Sequence, residues 1–297
     1  MQIDVCIATY RRPSLLHCLL NDLLAQQIPA DVTLRIIVVD NDPGVSARRV
    51  FEEFRSRCVD IDYFTQTDQN IALTRNRALE HSDGDLIALI DDDESAPPNW
   101  LATLLGAMNL YNADVVFGPV RGVLPEAAPR WLMEGRFFHQ PPLATGTPVP
   151  IGYTNNALVR ASVVRGKLFF NPVYGLSGGE DTDFFLRLGR SGARMIWCEE
   201  ALITEHVHAE RLCLRWLVKR AFSRGQLYAD IVERPLSALE FAVWLGKRAA
   251  YLVVATVLTA TALPFSRALA ASYVIKVASN AGQISTVFRY RLEPYRN

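Results

Sequence analysis

Short, largely apolar runs separated by polar, helix-patterned stretches set the rhythm of the first 120 residues. Ile3–Ala8, Leu34–Val39, Ile61–Phe64, Leu86–Ile90 and Val115–Phe117 are such runs. Runs of this length between turn signals predict strands covered on both faces. Between them, Pro13 suits the first turn of a helix reaching about Gln26. A polar helix is predicted over roughly Ser46–Arg57, another over Ile71–His81 opened by Asn70, and an amphipathic one from Trp100 to Leu110 after Pro97-Pro98. Strand and helix alternating with short links predict a doubly wound, mostly parallel sheet, a Rossmann-like half with right-handed crossovers.

The pattern changes after residue 120. Pro125, Pro129, Pro141, Pro142, Pro148 and Pro150 punctuate a stretch that also holds Trp131, Phe137 and Phe138. It reads as a long aromatic loop, of the kind that serves as a lid or is a tolerated insertion. Asn156–Val159 and Met195–Trp197 read as strands, and Thr182–Ser191 as a helix with Phe184, Phe185 and Leu188 on one face. From Glu210 to Gly225 a helix would carry Arg211, Arg215 and Lys219 on one face, with Arg220 and Arg224 beside them. Ala249 to Phe265 is uncharged, flanked by Lys247-Arg248 and Arg267, and a weaker apolar segment, Ala268–Phe288, is broken by Lys276. The first lies at the lower bound for a membrane span. The pair also fits a shallow helical hairpin or an interfacial anchor, or else a buried helical pair or a dimer interface.

Composition sharpens this outline. Half of the 297 residues are apolar, enough for one large domain with a helical, apolar C-terminal appendage. The zero formal charge hides an asymmetry: 18 basic and 27 acidic residues up to position 210, then 13 and 4. A basic, apolar tail on an acidic body suits an anionic membrane surface or an anionic substrate; no nucleic-acid partner is expected. The five cysteines, Cys6, Cys18, Cys58, Cys198 and Cys213, show no CxxC spacing, which argues against a disulfide framework or zinc site and for a reducing compartment. Met1-Gln2-Ile3 leads straight into a strand pattern with no signal-peptide character. The expected location is the cytoplasm or the cytoplasmic face of the inner membrane.

The candidate chemistry lies at strand ends. Leu86–Ile90 closes on Asp91-Asp92-Asp93-Glu94. In an open α/β sheet, ligands bind at the carboxyl ends of the strands. Clustered carboxylates repel one another unless neutralised, and their oxygens suit hard cations such as Mg²⁺ or Mn²⁺. The plain alternative is a solvated acidic turn. The other strands deliver Thr9-Tyr10-Arg11 and Asp40-Asn41-Asp42 to the same edge. No GxGxxG follows the first strand and no GxxxxGK[ST] occurs anywhere, which weakens dinucleotide and P-loop readings.

These pieces, in order, resemble family 2 glycosyltransferases of the GT-A fold. The matching segments are Val5–Pro13, Val38–Asp42, Ala72–Asn76, the DxD segment Asp91–Asp93, and Gly178-Gly179-Glu180-Asp181-Thr182-Asp183. The resemblance spans about residues 1–225 and is nearest to bacterial succinoglycan and exopolysaccharide glucosyltransferases. It implies a GT-A domain over 1–225, with a nucleotide-sugar and metal half at 1–120 and an acceptor half at 121–225. Residues 226–297 would then form a helical membrane-associating region.

The resemblance also implies roles. Thr9, Tyr10, Arg11, Asp40, Asp42, Arg75, Asp91 and Asp92 would bind the donor, Asp40 holding the base and Asp92 the ribose. Asp93, with Asp91 in support, would ligate Mg²⁺ or Mn²⁺; His206 is a candidate third ligand, with a surface or core histidine equally consistent. Asp181 would be the general base, with Glu180, Trp100 and Asn155 on the acceptor side. The implied reaction is inverting hexosyl transfer from a nucleotide sugar, UDP-linked by preference, to a saccharide or polyprenyl-diphosphate-linked acceptor, by a chain that is a possible homo-oligomer. The rival readings are a nucleotidyltransferase and a non-catalytic sugar-nucleotide-binding scaffold.

Overall fold

A computed structural model describes residues 1–57, 59–140, 142–232, 237–288 and 292. Cys58, Pro141 and parts of the 226–297 segment, which the sequence reading used, lie outside the described residues. The chain divides into two compact units. One comprises residues 1–122, 140–176 and 180–205; the other comprises 123–139, 177–179 and the described residues from 206 on.

The first unit opens with β1 (Gln2–Thr9), α1 (Pro13–Leu24), β2 (Thr33–Asp40), α2 (Arg48–Ser56), β3 (Ile61–Thr65), α3 (Ile71–His81) and β4 (Leu86–Ile90). Every residue of β4 is buried, as are five consecutive positions of β1 and of β2. Such strands leave no solvent face and explain the unbroken apolar runs. Then come β5 (Glu94–Ser95), α4 (Trp100–Leu110), β6 (Val115–Phe117) and β7 (Val120–Val123). After α5 (Arg130–Gly135), the chain makes β8 (Asn156–Arg160), α6 (Ala161–Val164), α7 (Glu180–Arg190), β9 (Met195–Trp197) and β10 (Ile203–His206).

The main sheet has seven strands in the order β3-β2-β1-β4-β8-β6-β9. The contacts of β1 with β2 and β4, of β2 with β3 and of β6 with β9 are parallel. The sheet departs from a wholly parallel pattern at β8, which runs antiparallel to both β4 and β6. Two apolar layers cover the faces: Leu16, Leu19, Leu20, Trp100 and Leu104 on one, Phe170, Phe184, Phe185 and Leu188 on the other. A second, three-stranded sheet has the order β5-β10-β7. Its strands are two to four residues long and left no run for the sequence to reveal.

The second unit is helical. Besides α5 it contains α8 (Leu214–Ile231), α9 (Ala238–Ala262) and α10 (Arg267–Ser285). Gly225 and Gly282 let α8 and α10 touch backbone to backbone, since a Cβ at either would fall 2.1 Å from the Ser279 carbonyl oxygen or 2.0 Å from that of Phe222. Gly225 therefore serves a close approach, and the helix expected to end there runs on to Ile231. Ser237 begins α9 with a reciprocal capping box to Glu240. Among the described residues, α9 alone is long and apolar enough to cross a membrane; Tyr251, Val253 and Val257 are each more than half exposed. Cys6, Cys18, Cys198 and Cys213 are free thiols.

Candidate active site

The strand order puts the carboxyl end of β1 between those of β2 and β4, so three polar clusters meet on one edge. Thr9, the last residue of β1, is 3% exposed and donates its hydroxyl to Asp92 Oδ2 at 2.7 Å. Arg12 places one nitrogen, Nη1, 3.0 Å from both Asp92 Oδ1 and Asp93 Oδ2. Arg11, on the other side, donates to Asp42 Oδ1 at 3.1 Å and lies over the Tyr10 ring. Burial pushes the Asp92 carboxyl up to about 6, against the pull of Arg12.

A second arginine crosses the site. Arg75, on α3, donates Nη2 to Asp91 Oδ1 at 2.9 Å and Nη1 to Glu180 Oε1. Asn41 fixes the start of that helix. Its amide donates to the Gln66 and Asp68 carbonyls, and its oxygen accepts from the Asn70 amide nitrogen. Asn70 then caps α3 by accepting from Leu73 N at 3.1 Å. Deeper in α3, Asn76 exchanges two hydrogen bonds with the Phe170 backbone.

Glu180 and Asp181 open α7, two residues before the helix predicted from Thr182. The preceding Gly178 and Gly179 have φ of 80° and 89°, a left-handed turn that side-chain-bearing residues rarely adopt. Carboxylates in a first helical turn are favoured by the helix dipole. Asp181 Oδ1 accepts from the Thr182 amide nitrogen at 2.6 Å, and the side chain is half-buried. Burial drives the Glu180 carboxyl upward, with the Asp181 charge adding and Arg75 opposing. Glu94, fully enclosed, accepts from the Asp91 amide nitrogen at 3.0 Å, and burial holds its carboxyl well above the usual range.

Several sequence-derived placements change. Trp100 is not on an acceptor-facing surface: it is fully buried, and its indole N–H donates to Asn156 Oδ1 at 2.8 Å. Asn156 donates onward to the Pro119 and Ala201 carbonyls, so this pair ties core segments together. Asp40 is also fully enclosed. It accepts from Asp42 N, Ala47 N and Tyr63 Oη, each at 2.9 Å, and organises the turn after β2. Asn155 stands half-buried just ahead of Asn156, which pairs with Ile90. His206 ends β10 and is exposed. Among the described residues, no three His, Cys, Asp or Glu side chains are grouped to hold a metal ion. Arg12 was missing from the expected site, because nothing in Arg11-Arg12 tells which side chain turns toward which acid.

The fold matches solved glycosyltransferases. A mannosyltransferase from Pyrobaculum calidifontis, solved with GDP-Man and Mn²⁺, superposes with a TM-score of 0.70 over 97% of this chain and 88% of that one, at 16% identity. S. aureus TarS 1–349 in complex with UDP gives 0.57 over 98% and 92%, also at 16%. In sequence, the chain is 39% identical over 235 residues to the succinoglycan biosynthesis protein ExoM of Rhizobium meliloti (strain 1021), covering 78% of this chain and 75% of that protein. It is 23% identical over 300 residues to the glycosyltransferase AglE of Haloferax volcanii, covering 97% of this chain and 96% of that protein. The model for "Glycosyl transferase family 2" matches residues 4–166. With the GT-A sheet, the acidic strand end and this match together, the chain belongs to glycosyl transferase family 2 and is a glycosyltransferase enzyme.

Proposed function

We propose that this enzyme transfers a hexose from a nucleotide sugar, UDP-linked by preference, to a saccharide or lipid-linked saccharide in cell-surface polysaccharide synthesis, with inversion at the anomeric carbon. The observation that carries the reading is the Arg75 bridge, which ties the acidic end of β4 to the Glu180–Asp181 start of α7. A group that handles diphosphate and a group that handles a proton are thereby held side by side.

In this reading Asp181 takes the proton of the acceptor hydroxyl as its oxygen attacks the anomeric carbon. The new C–O bond forms as the bond to the diphosphate breaks, and the nucleoside diphosphate departs with that electron pair. One attack from the face opposite the leaving group inverts configuration. The left-handed turn at Gly178-Gly179 and the first turn of α7 fix the carboxylate. Arg75 pairs with Glu180, and Asp181 stands next to it at the start of α7.

Asp91 and Asp93 fit a divalent ion. They are hard oxygen donors from one strand end, and Mg²⁺ uses one or two carboxylates when substrate phosphates and waters complete its shell. When bound, Mg²⁺ or Mn²⁺ supplies neutralisation of the charge on the departing diphosphate. The solved mannosyltransferase complex with Mn²⁺ supports a metal of this kind. The likeness to a succinoglycan biosynthesis protein supports a polysaccharide pathway. Family membership sets aside the nucleotidyltransferase and scaffold alternatives.

A nucleotide-diphosphate release assay over a panel of UDP- and GDP-sugars, with membrane lipid extract as acceptor, tests the reading. Asp181→Asn should lower turnover by about 10²–10⁴-fold while UDP binding persists; unchanged turnover removes the base assignment. The exposed apolar surface of α9 and the basic C-terminal segment support attachment to the cytoplasmic face of the membrane. Full-length protein should float with anionic phospholipid vesicles, and recovery only in the soluble fraction rejects the attachment.

A further inference from the structure

The two consecutive arginines after β1 are sent to opposite neighbours. Arg11 takes a left-handed backbone (φ 54°), which non-glycine residues adopt only when the surroundings enforce it. Arg12 follows with an extended φ of −129° and caps α1, where Pro13 occupies the first turn. The kink sends Arg11 to Asp42 after β2 and Arg12 to Asp92 and Asp93 after β4. A single nitrogen then sits 3.0 Å from two carboxylates that are only 5% and 8% exposed. That is the position of a cation shared by two closely spaced carboxylates.

We propose that Arg12 is the resident counter-cation of Asp92 and Asp93, and that it releases Asp93 to a divalent ion only when a nucleotide diphosphate is present to receive its guanidinium. The inference rests on the metal-dependent donor reading above and adds to it an order of events. A metal ion arriving alone meets two carboxylates that already share the positive charge of Arg12. A diphosphate offers Arg12 a different anion, and a guanidinium fork matches phosphate oxygens. Arg12 is itself 41% exposed, so its side chain can turn outward without disturbing the core. Thr9 Oγ1 keeps hold of Asp92 at 2.7 Å when the arginine leaves. Pro13 and α1 hold the backbone, so the exchange needs only side-chain rotation. Metal and donor then bind as a coupled pair, with little metal taken up by the empty enzyme.

The test is calorimetric and electron-paramagnetic titration of the full chain with Mn²⁺, alone and with saturating UDP, for wild type, Arg12→Gln and Arg12→Lys. Wild type should bind Mn²⁺ weakly until UDP is added. Arg12→Gln removes the charge and should tighten nucleotide-free Mn²⁺ binding by about tenfold or more, with a smaller gain on adding UDP. Arg12→Lys keeps the charge and should stay as weak as wild type. A folded Arg12→Gln that binds nucleotide-free Mn²⁺ no better than wild type overturns the proposal. So does an Arg12→Lys that binds it many-fold more tightly than wild type, which also decides the matter where the glutamine variant does not fold. If wild type binds UDP with no Mn²⁺ effect, the metal-dependent reading itself falls and takes the proposal with it.

Discussion

Replacing Arg75 by methionine removes the one guanidinium shared by Asp91 and Glu180, and the structure sets both the size and the pH dependence of the damage. The Glu180 side chain is 6% exposed and that of Asp91 is 37% exposed, so nearly all of the cost falls on Glu180. Leaving one member of a buried ion pair behind costs about 3–5 kcal/mol. The carboxyl can escape part of that by taking a proton. Its native pKa is already raised above the ordinary 4.5 by burial, with Arg75 as the main opposing influence. Without Arg75 it rises further. A raised native pKa means stability that is fully present below the unfolded value and lost as pH climbs through the native value. The variant loses stability over a wider and higher pH window than wild type, by at most about 1.4 kcal/mol per pH unit. Burial already holds the wild-type Glu180 carboxyl at about 7, so it is protonated at pH 5.5 in both proteins, and the deficit should be larger at pH 8 than at pH 5.5 by at most about 1.4 kcal/mol. Urea unfolding followed by tryptophan fluorescence at the two pH values measures it. Arg75→Met combined with Glu180→Gln should recover most of the loss at pH 8. A deficit that is the same at both pH values, or no recovery in the double variant, refutes the assignment of the cost to a stranded Glu180.

Two further outcomes can be checked together. Asp92, with its carboxyl pushed up to about 6 from 3.8, should make the protein lose stability as pH rises from about 4 to 6. Asp92→Asn should flatten that slope by up to about 3 kcal/mol in total, and an unchanged unfolding profile against pH counts against the raised value. Trp100→Phe leaves Asn156 Oδ1 without its buried donor and opens space around a smaller ring, costing about 2–4 kcal/mol. Its KM for acceptor should not change, whereas a raised KM at full stability restores Trp100 to the acceptor site.

The parts of this enzyme that could be read from sequence are those where one local cause dominates. Strands β1, β2 and β4 are covered on both faces, so their apolar runs stand out and their polar ends mark the ligand edge. Asp91–Asp93 and Thr9 are legible this way, Arg75 only through the family resemblance, and the structure gathers them. The errors came where a distant partner decides. Trp100 follows two prolines near the acidic segment and looks like a surface aromatic; only its hydrogen bond to Asn156, 56 positions away, shows that it belongs to the core. Asp40 stands in a row of polar residues, and only the fold shows that it holds its turn through Ala47, Asp42 and Tyr63. The helix expected from Glu210 starts at Leu214 and passes Gly225, because that glycine meets Ser279 of α10. A short helix, α5, forms between the prolines where only loop was expected. Arg12 depends on strand order, which no local pattern encodes.

The reversed direction of β8 gives the sheet an asymmetry useful for redesign. The chain leaves the sheet at the ligand edge after β1, β2 and β4, but at β8 it enters there. Added or deleted residues ahead of β8 therefore shift Thr154 and Asn155 on the working edge, while changes just after β8, toward α6, fall on the opposite edge. For β1, β2 and β4 the rule is inverted. Segment grafting aimed at a new acceptor should target the approach to β8, and grafting aimed at stability should target its exit.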